Sequence, residues 1–336
     1  MKGRISITLA LTLILVPLDL RISYGENTPA NSPNCTPAGR ILSVENDKIP
    51  AGKLLCGDEF IEASRGAKVE VFCFNSGEIW HVISGIRSRV SEGCLSNIAS
   101  NIAKNDCIPE EGCHSDDPRG PLSNKNTPDI ITPYNTDIIN PKPPLSWYAV
   151  SNANGYTVRV RDITGTGVNW DRRSPNSTSN VMRIEYPADA APLQPGHQYK
   201  LTVEVQTQSN TSPGEEIFTM LSEEEIQEVQ EIVAKIDALN LPVEEKVLLD
   251  LYSLYTNKNL IAEIIERLET LVRSGSQTPK VYRLLGDIYY RQRLLDIAKM
   301  RYEKAVELAT NRQDNEELTA AQSKLTQING ELEKLK

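Results

Sequence analysis

Cys113 and His114 stand side by side in this chain of 336 residues. A thiol beside an imidazole is the pairing from which a nucleophilic thiolate is made. Sequence neighbours rarely aim at one target, however, and the thiol has a competing role. Six cysteines (Cys35, Cys56, Cys73, Cys94, Cys107 and Cys113) lie in the first third of the chain and none follows. They contain no C-x-x-C, and Cys107 to Cys113 with His114 matches neither a zinc-ligand nor a haem-attachment spacing. An even number of cysteines confined to one region reads as a disulfide framework. Spacing alone does not fix its connectivity. A Cys56–Cys73 bridge is one expectation, because the two fall in consecutive predicted strands; it would close a loop of about 17 residues and contribute about 3 kcal/mol.

The remaining reactive groups are sparse. His81 falls in a predicted strand beside Trp80, and His197 in a Pro-Gly corner. Asp116-Asp117 and Glu223-Glu224-Glu225 lack the alternating oxygen ligands of a calcium loop, and the glutamates suit a helix N-terminus. No G-x-S-x-G, H-E-x-x-H, phosphate-binding loop or dinucleotide fingerprint occurs. No catalytic residue, metal or cofactor is expected, and the chain reads as one that works by shape.

The elements that would carry that shape fall into zones. Lys2 and Arg4 precede an apolar run from Ile5 to Val16, and Ser23-Tyr24-Gly25 offers small residues before a cleavage point. This is the layout of a signal peptide over residues 1–25, with a core too short to span a bilayer comfortably. A retained anchor is the alternative. Export would place the protein in the periplasm, at the cell surface or in the medium. The net charge is −9; the leader carries Lys2, Arg4, Arg21 and Asp19, so its removal leaves about −11. That balance argues against nucleic acid and against adsorption of the whole chain to an anionic bilayer. No stable insertion is expected once the leader is cleaved.

Residues 36–113 predict a small β-rich domain tied by disulfides. Val69, Val71 and Cys73 alternate with Lys68, Glu70 and Phe72, Asn75-Ser76-Gly77 marks a turn, and Glu78–Ile83 returns. The order Gly57-Asp58-x-Phe60, then Val69-x-Val71, then Asn75-Ser76-Gly77-x-Ile79 resembles the β-repeat of FecR-type periplasmic domains. Residues 114–127 are rich in Pro, Gly, Asp and Ser and read as a linker. Over 128–221, strands at 145–147, 155–161 and 199–205 alternate apolar and polar residues, which predicts a β-sandwich. Leu145-x-Trp147, Asn154-Gly155-Tyr156-x-Val158 and Leu193-x-Pro195-Gly196-x-x-Tyr199 resemble fibronectin type III domains. The resemblance implies a core tryptophan at 147 and a tyrosine at 199 whose hydroxyl bonds back to main chain.

Residues 222–336 are helical in pattern. Ser222 with Glu225 forms a capping box, and Ile226, Val229, Ile232, Val233, Ile236 and Leu239 mark one face. Tyr282, Leu285, Gly286, Tyr289, Ala298, Tyr302 and Ala305 fall on the spacing of a tetratricopeptide hairpin over 279–310. A diverged copy covers 245–276, and residues 314–335 form a capping helix. Taken together, the chain resembles bacterial secreted tetratricopeptide-repeat proteins with a fibronectin type III-like domain. In such repeats the first helix of each hairpin lines a concave peptide-binding face, which here carries Lys246, Lys280, Arg283, Asp287 and Tyr290. The expectation is an exported, non-enzymatic adaptor for protein partners. The rival is a cell-wall glycan-binding module with Trp80, Trp147 and Trp170 as platforms, and a third reading is a hydrolase with an unfamiliar site.

Overall fold

The structure is a computed structural model and describes residues 35–95, 126–176, 179–206 and 211–334. The leader and Cys107, Cys113, His114, Asp116 and Asp117 lie outside these residues.

In the first region, β1 (Pro37–Glu45), β2 (Leu54–Cys56), β4 (Lys68–Cys73) and β5 (Glu78–Val82) form an antiparallel sheet in the order β2-β1-β4-β5. A second pair, β3 (Phe60–Glu62) and β6 (Arg87–Arg89), closes the other side and leads into α1 (Val90–Leu95). Val69, Val71 and Cys73 point into a core with Ile41, Leu55, Ile61, Trp80 and Val90. Gly93 on α1 lies flat against Trp80; a Cβ there would sit 2.2 Å from the indole ring.

Two disulfides tie the region together: Cys35–Cys56 and Cys73–Cys94. The expected Cys56–Cys73 bridge is therefore overturned. The reason is the strand order, because β1 lies between the strands that carry Cys56 and Cys73. Cys56 instead reaches the start of the chain's first strand, and Cys73 reaches α1.

Two further sheets enclose a second core. β7 (Ile130–Thr132), β9 (Leu145–Tyr148) and β12 (Val181–Ile184) form one, in the order β12-β9-β7. The other holds β8 (Asp137–Ile138), β10 (Gly155–Asp162), β11 (Asn169–Pro175), β13 (Gln198–Gln206) and β14 (Gly214–Met220), ordered β11-β10-β13-β14-β8. In β10 and β13 buried residues alternate with wetter ones, as a sheet with one wet face requires, whereas β7 and β9 are buried on both faces. Trp147 is fully buried and meets Tyr156 edge to face at 5.3 Å, with Val158, Val160, Tyr199, Leu201 and Phe218 around it.

The third region is helical. α2 (Glu223–Ala238) begins at Ser222, whose capping box with Glu225 is formed as expected. Leu241-Pro242 separates it from α3 (Val243–Glu245), a π-helical turn (Lys246–Leu251) and α4 (Tyr252–Asn257). Then come α5 (Ile261–Arg273), α6 (Pro279–Arg291), α7 (Leu295–Arg312) and α8 (Asn315–Lys334). Gly286 faces Tyr302 so closely that a Cβ would lie 2.6 Å from the ring; the small residue lets α6 and α7 meet.

The three regions share buried surface. Leu42 and Phe72 from the first sheet, and Ile131 and Tyr148 from the second part, belong to the same apolar cluster as Leu251, Leu254, Leu285 and Tyr302. Phe72 shares a strand face with Lys68 and Glu70, and that face packs against helices. Polar contacts follow the same seam. Arg40, 1% exposed, donates to Asp250 at 2.7 Å, to Glu245 at 3.0 Å and to the Gly52 carbonyl at 2.8 Å. Lys235 pairs with Glu70 and Lys258 with Glu78.

Candidate functional site

α6 presents Lys280, Arg283, Asp287 and Tyr290 at spacings of three, four and three, so they share one face of the helix. The next helix reaches across it. Glu317 on α8 accepts two hydrogen bonds from Arg283, at 2.5 and 3.1 Å, while Arg283 also donates to Asp287 at 2.8 Å. Asp287 accepts in addition from the Tyr302 hydroxyl at 2.8 Å. Tyr290 donates to Glu331 and receives a hydrogen bond from Gln327 at 2.8 Å. Burial and the Glu331 carboxylate push the Tyr290 hydroxyl up to about 12, so it stays protonated and donates.

Lys280 differs from its neighbours. Among the described residues its ammonium group makes no hydrogen bond or ion pair of its own; Glu317 and Glu316 act on it only through space. Burial pulls its pKa down, Glu317 opposes that, and Arg283 adds to it. Lys246, the fifth expected member, is engaged elsewhere: its Nζ donates to the Asp237 carbonyl at 2.8 Å, at the end of α2. The structure thus brings four of the five residues onto one helix face, where Arg283 and Asp287 share a hydrogen-bond network with Glu317 and Tyr302, Tyr290 bonds to Glu331 and Gln327, and Lys280 stands beside them.

The face has a counterpart one helical pair earlier. Asp287 and Arg291 lie 34 residues after Ser253 and Asn257, and those two side chains on α4 both donate to the Phe74 carbonyl in the β4–β5 turn. Gly77 of that turn sits against Asn257, with 3.0 Å between its Cβ position and the Asn257 Cβ. A positive φ of 71° at Gly77 lets the turn fold down onto the helix. The first β region therefore covers the α4 part of this surface, and α8 flanks the α6 part, where Lys280, Arg283, Asp287 and Tyr290 stay partly exposed.

A cleft that no sequence pattern marked lies between the sheet β12-β9-β7 and helices α5 to α7, with a volume of about 210 Å³. Thr132 and Ser146, bonded to each other at 2.7 Å, form part of its wall, and Met300 stands half-exposed at its edge. Its arginines are matched by Glu266 and Glu269, while Glu263 accepts from the backbone N–H groups of Ile139 and Asn140. Glu269 accepts from Arg301 at 2.7 and 2.9 Å and from the buried Tyr289 hydroxyl at 2.9 Å. Glu266 takes Arg183 at 2.9 Å and Arg273 at 2.6 Å. Apart from Arg273, which lies on α5 with Glu266, these partners come from strands and helices far apart in the chain, so no local motif could have revealed them.

The remaining candidates take structural positions. Trp80, Trp147 and Trp170 are all buried, so none offers the exposed ring face that a sugar platform needs. His197 Nδ1 lies 2.8 Å from Asp162, whose other oxygen accepts from the backbone of Thr164 and Gly165 and so closes a turn. His81 is solvent-exposed, 3.7 Å from Glu70. Among the described residues no cluster of three or more His, Cys, Asp or Glu side chains could hold a metal ion, and no helix is long and apolar enough to cross a membrane. No protein-family model matches this chain, and neither does any curated protein.

Proposed function

We propose that the chain is an exported, non-enzymatic adaptor that binds protein partners through the partly exposed face of α6 beside α8. The observation that carries this reading is Lys280: a partly buried ammonium without a bonded carboxylate, set in a rigid frame made by Arg283, Asp287, Glu317 and Glu331. Such a group favours a carboxylate brought by a partner, because pairing offsets the cost of its burial.

Four further features support the architecture and setting behind the proposal. The strand orders β12-β9-β7 and β11-β10-β13-β14 fit a fibronectin type III-like sandwich. Gln194 donates its backbone N–H to the Tyr199 hydroxyl at 2.7 Å, as a tyrosine corner would. The contact of Gly286 with Tyr302 fits the crossing of a tetratricopeptide hairpin. Two disulfides suit an oxidising compartment outside the cytoplasm.

The test is affinity capture from an envelope extract with the whole chain, comparing the native protein with Lys280→Glu and with Lys324→Glu on the exposed side of α8. Partners lost only with Lys280→Glu, at an unchanged thermal midpoint, support the proposal. Capture that Lys280→Glu leaves intact removes α6 as the site. Deleting residues 222–336 is the wrong control, because it would strip the cover from Leu42, Phe72, Ile131 and Tyr148.

A further inference from the structure

The first β region carries a surface that neither its core nor its seam with the helices uses. On the exposed side of the β3–β6 pair, Phe60 is 49% exposed, and the guanidinium groups of Arg87 and Arg89 lie over its ring at 4.6 and 5.1 Å. The β5–β6 turn adds Ile83 and Ile86, 61% and 50% exposed, on either side of Gly85. Arg65 packs beside that glycine, 3.2 Å from its Cβ position. Among the described residues, Arg65, Arg87 and Arg89 have no carboxylate within ion-pair distance. Glu62, opposite Arg87 in the strand pair, is the acidic residue on this side.

Three exposed arginines without a carboxylate partner among the described residues, beside three exposed apolar side chains, are unusual on a chain of net charge −9. Single exposed apolar residues are ordinary; a cluster ringed by one sign of charge marks an interaction surface. Side chains this exposed have nothing walling them in. That suits a flat, deformable counterpart better than a peptide, which needs pockets for its side chains. The acidic character of the whole chain does not forbid this, because exposed charges are screened beyond about 8 Å at physiological salt.

We propose that this face is a peripheral docking surface for an anionic bilayer. Arg65, Arg87 and Arg89 engage lipid phosphates, and Ile83, Ile86 and Phe60 enter the boundary between headgroups and acyl chains. The reading is independent of the α6 face, so either can fail alone.

The experiment is sedimentation of the chain recovered from the exported fraction, with phosphatidylglycerol–phosphatidylcholine vesicles and with pure phosphatidylcholine vesicles. Binding to the mixed vesicles alone, weakened by salt, is expected. Arg87→Glu with Arg89→Glu should lower partitioning by at least about tenfold, and Ile83→Ser with Ile86→Ser should lower it as well. Glu62→Gln should raise it, and Lys324→Glu should leave it unchanged. Circular dichroism and the thermal midpoint check that each variant is folded; if the arginine pair fails that check, Glu62→Gln and the isoleucine pair decide. Equal binding to neutral vesicles, indifference to these substitutions, or binding only to soluble polyglutamate would overturn the proposal.

Discussion

Arg40 and Asp250 are 210 residues apart in the chain and meet at 2.7 Å with neither side chain open to water. One sits in β1 and the other in the π-helical turn before α4. Burying both charges is costly, and the geometry recovers that cost only while the pair is complete. Removing one partner strands the other: Asp250→Ala should destabilise the chain by about 3–5 kcal/mol. Replacing both, as Arg40→Met with Asp250→Leu, should restore much of that loss, since Glu245 can still turn to solvent. Urea unfolding of the three variants separates the outcomes; additive losses would mean the pair does not act as a unit.

The same carboxyl gives a pH signature. Burial raises Asp250 from 3.8 to about 6, and Arg40 opposes the rise without cancelling it. Between these values the folded chain holds a proton that the unfolded chain has lost. This group therefore adds stability as pH falls from about 6 towards 4 and removes it as pH rises through the same window. Asp250→Asn should flatten that part of the stability profile, measured as urea midpoints at pH 4.5 and 7. An unchanged slope would place the proton elsewhere.

The two disulfides should respond differently to reductant. Cys73 and Cys94 are buried, whereas Cys35 is partly exposed. Mild dithiothreitol followed by alkylation should label Cys35 and Cys56 before Cys73 and Cys94. Each pair spans 21 positions, so converting either to alanines should cost about 3 kcal/mol. Mass spectrometry of the labelled peptides checks the order.

Gly286→Ala tests the crossing of α6 and α7. Alanine is the better helix former by about 1 kcal/mol, so an exposed site would gain stability. Here the new methyl meets the Tyr302 ring at 2.6 Å, and overpacking should cost about 1–3 kcal/mol. A net loss, with faster amide exchange in α6 and α7, is expected; a gain would show that the helices can separate freely.

Tyr199→Phe removes the hydroxyl that receives the Gln194 N–H. The ring remains to fill the core, so the loss reports the N–H contact, worth about 1 kcal/mol plus the cost of the stranded donor, together with the longer 3.3 Å bond from the hydroxyl to the Gln194 carbonyl. A thermal midpoint unchanged within error would mean water replaces the hydroxyl.

Local patterns were legible in the sequence and long-range ones were not. The capping box at Ser222, the inward alternation of Val69, Val71 and Cys73, and the small residue at 286 against Tyr302 all follow from periods of two or 3.6 residues. The cysteine pairing was misjudged because strand order is not sequence order. Alternation puts Phe72 on the face of Lys68 and Glu70, but it does not show that a helix lies over that face. Four members of the α6 face could be named from spacing, but their engagement by Glu317 and Glu331 depends on how α8 returns. The cleft beside Glu269 and Arg301 has no local signature, since its lining is gathered from three strands and three helices.

Leu42, Phe72, Ile131 and Tyr148 lend their side chains to the apolar cluster of the helices. A string of beads would melt bead by bead. With one cluster drawing on every region, heating should take the whole assembly apart in a single calorimetric peak, and a protease would find no early cut that frees an intact fragment.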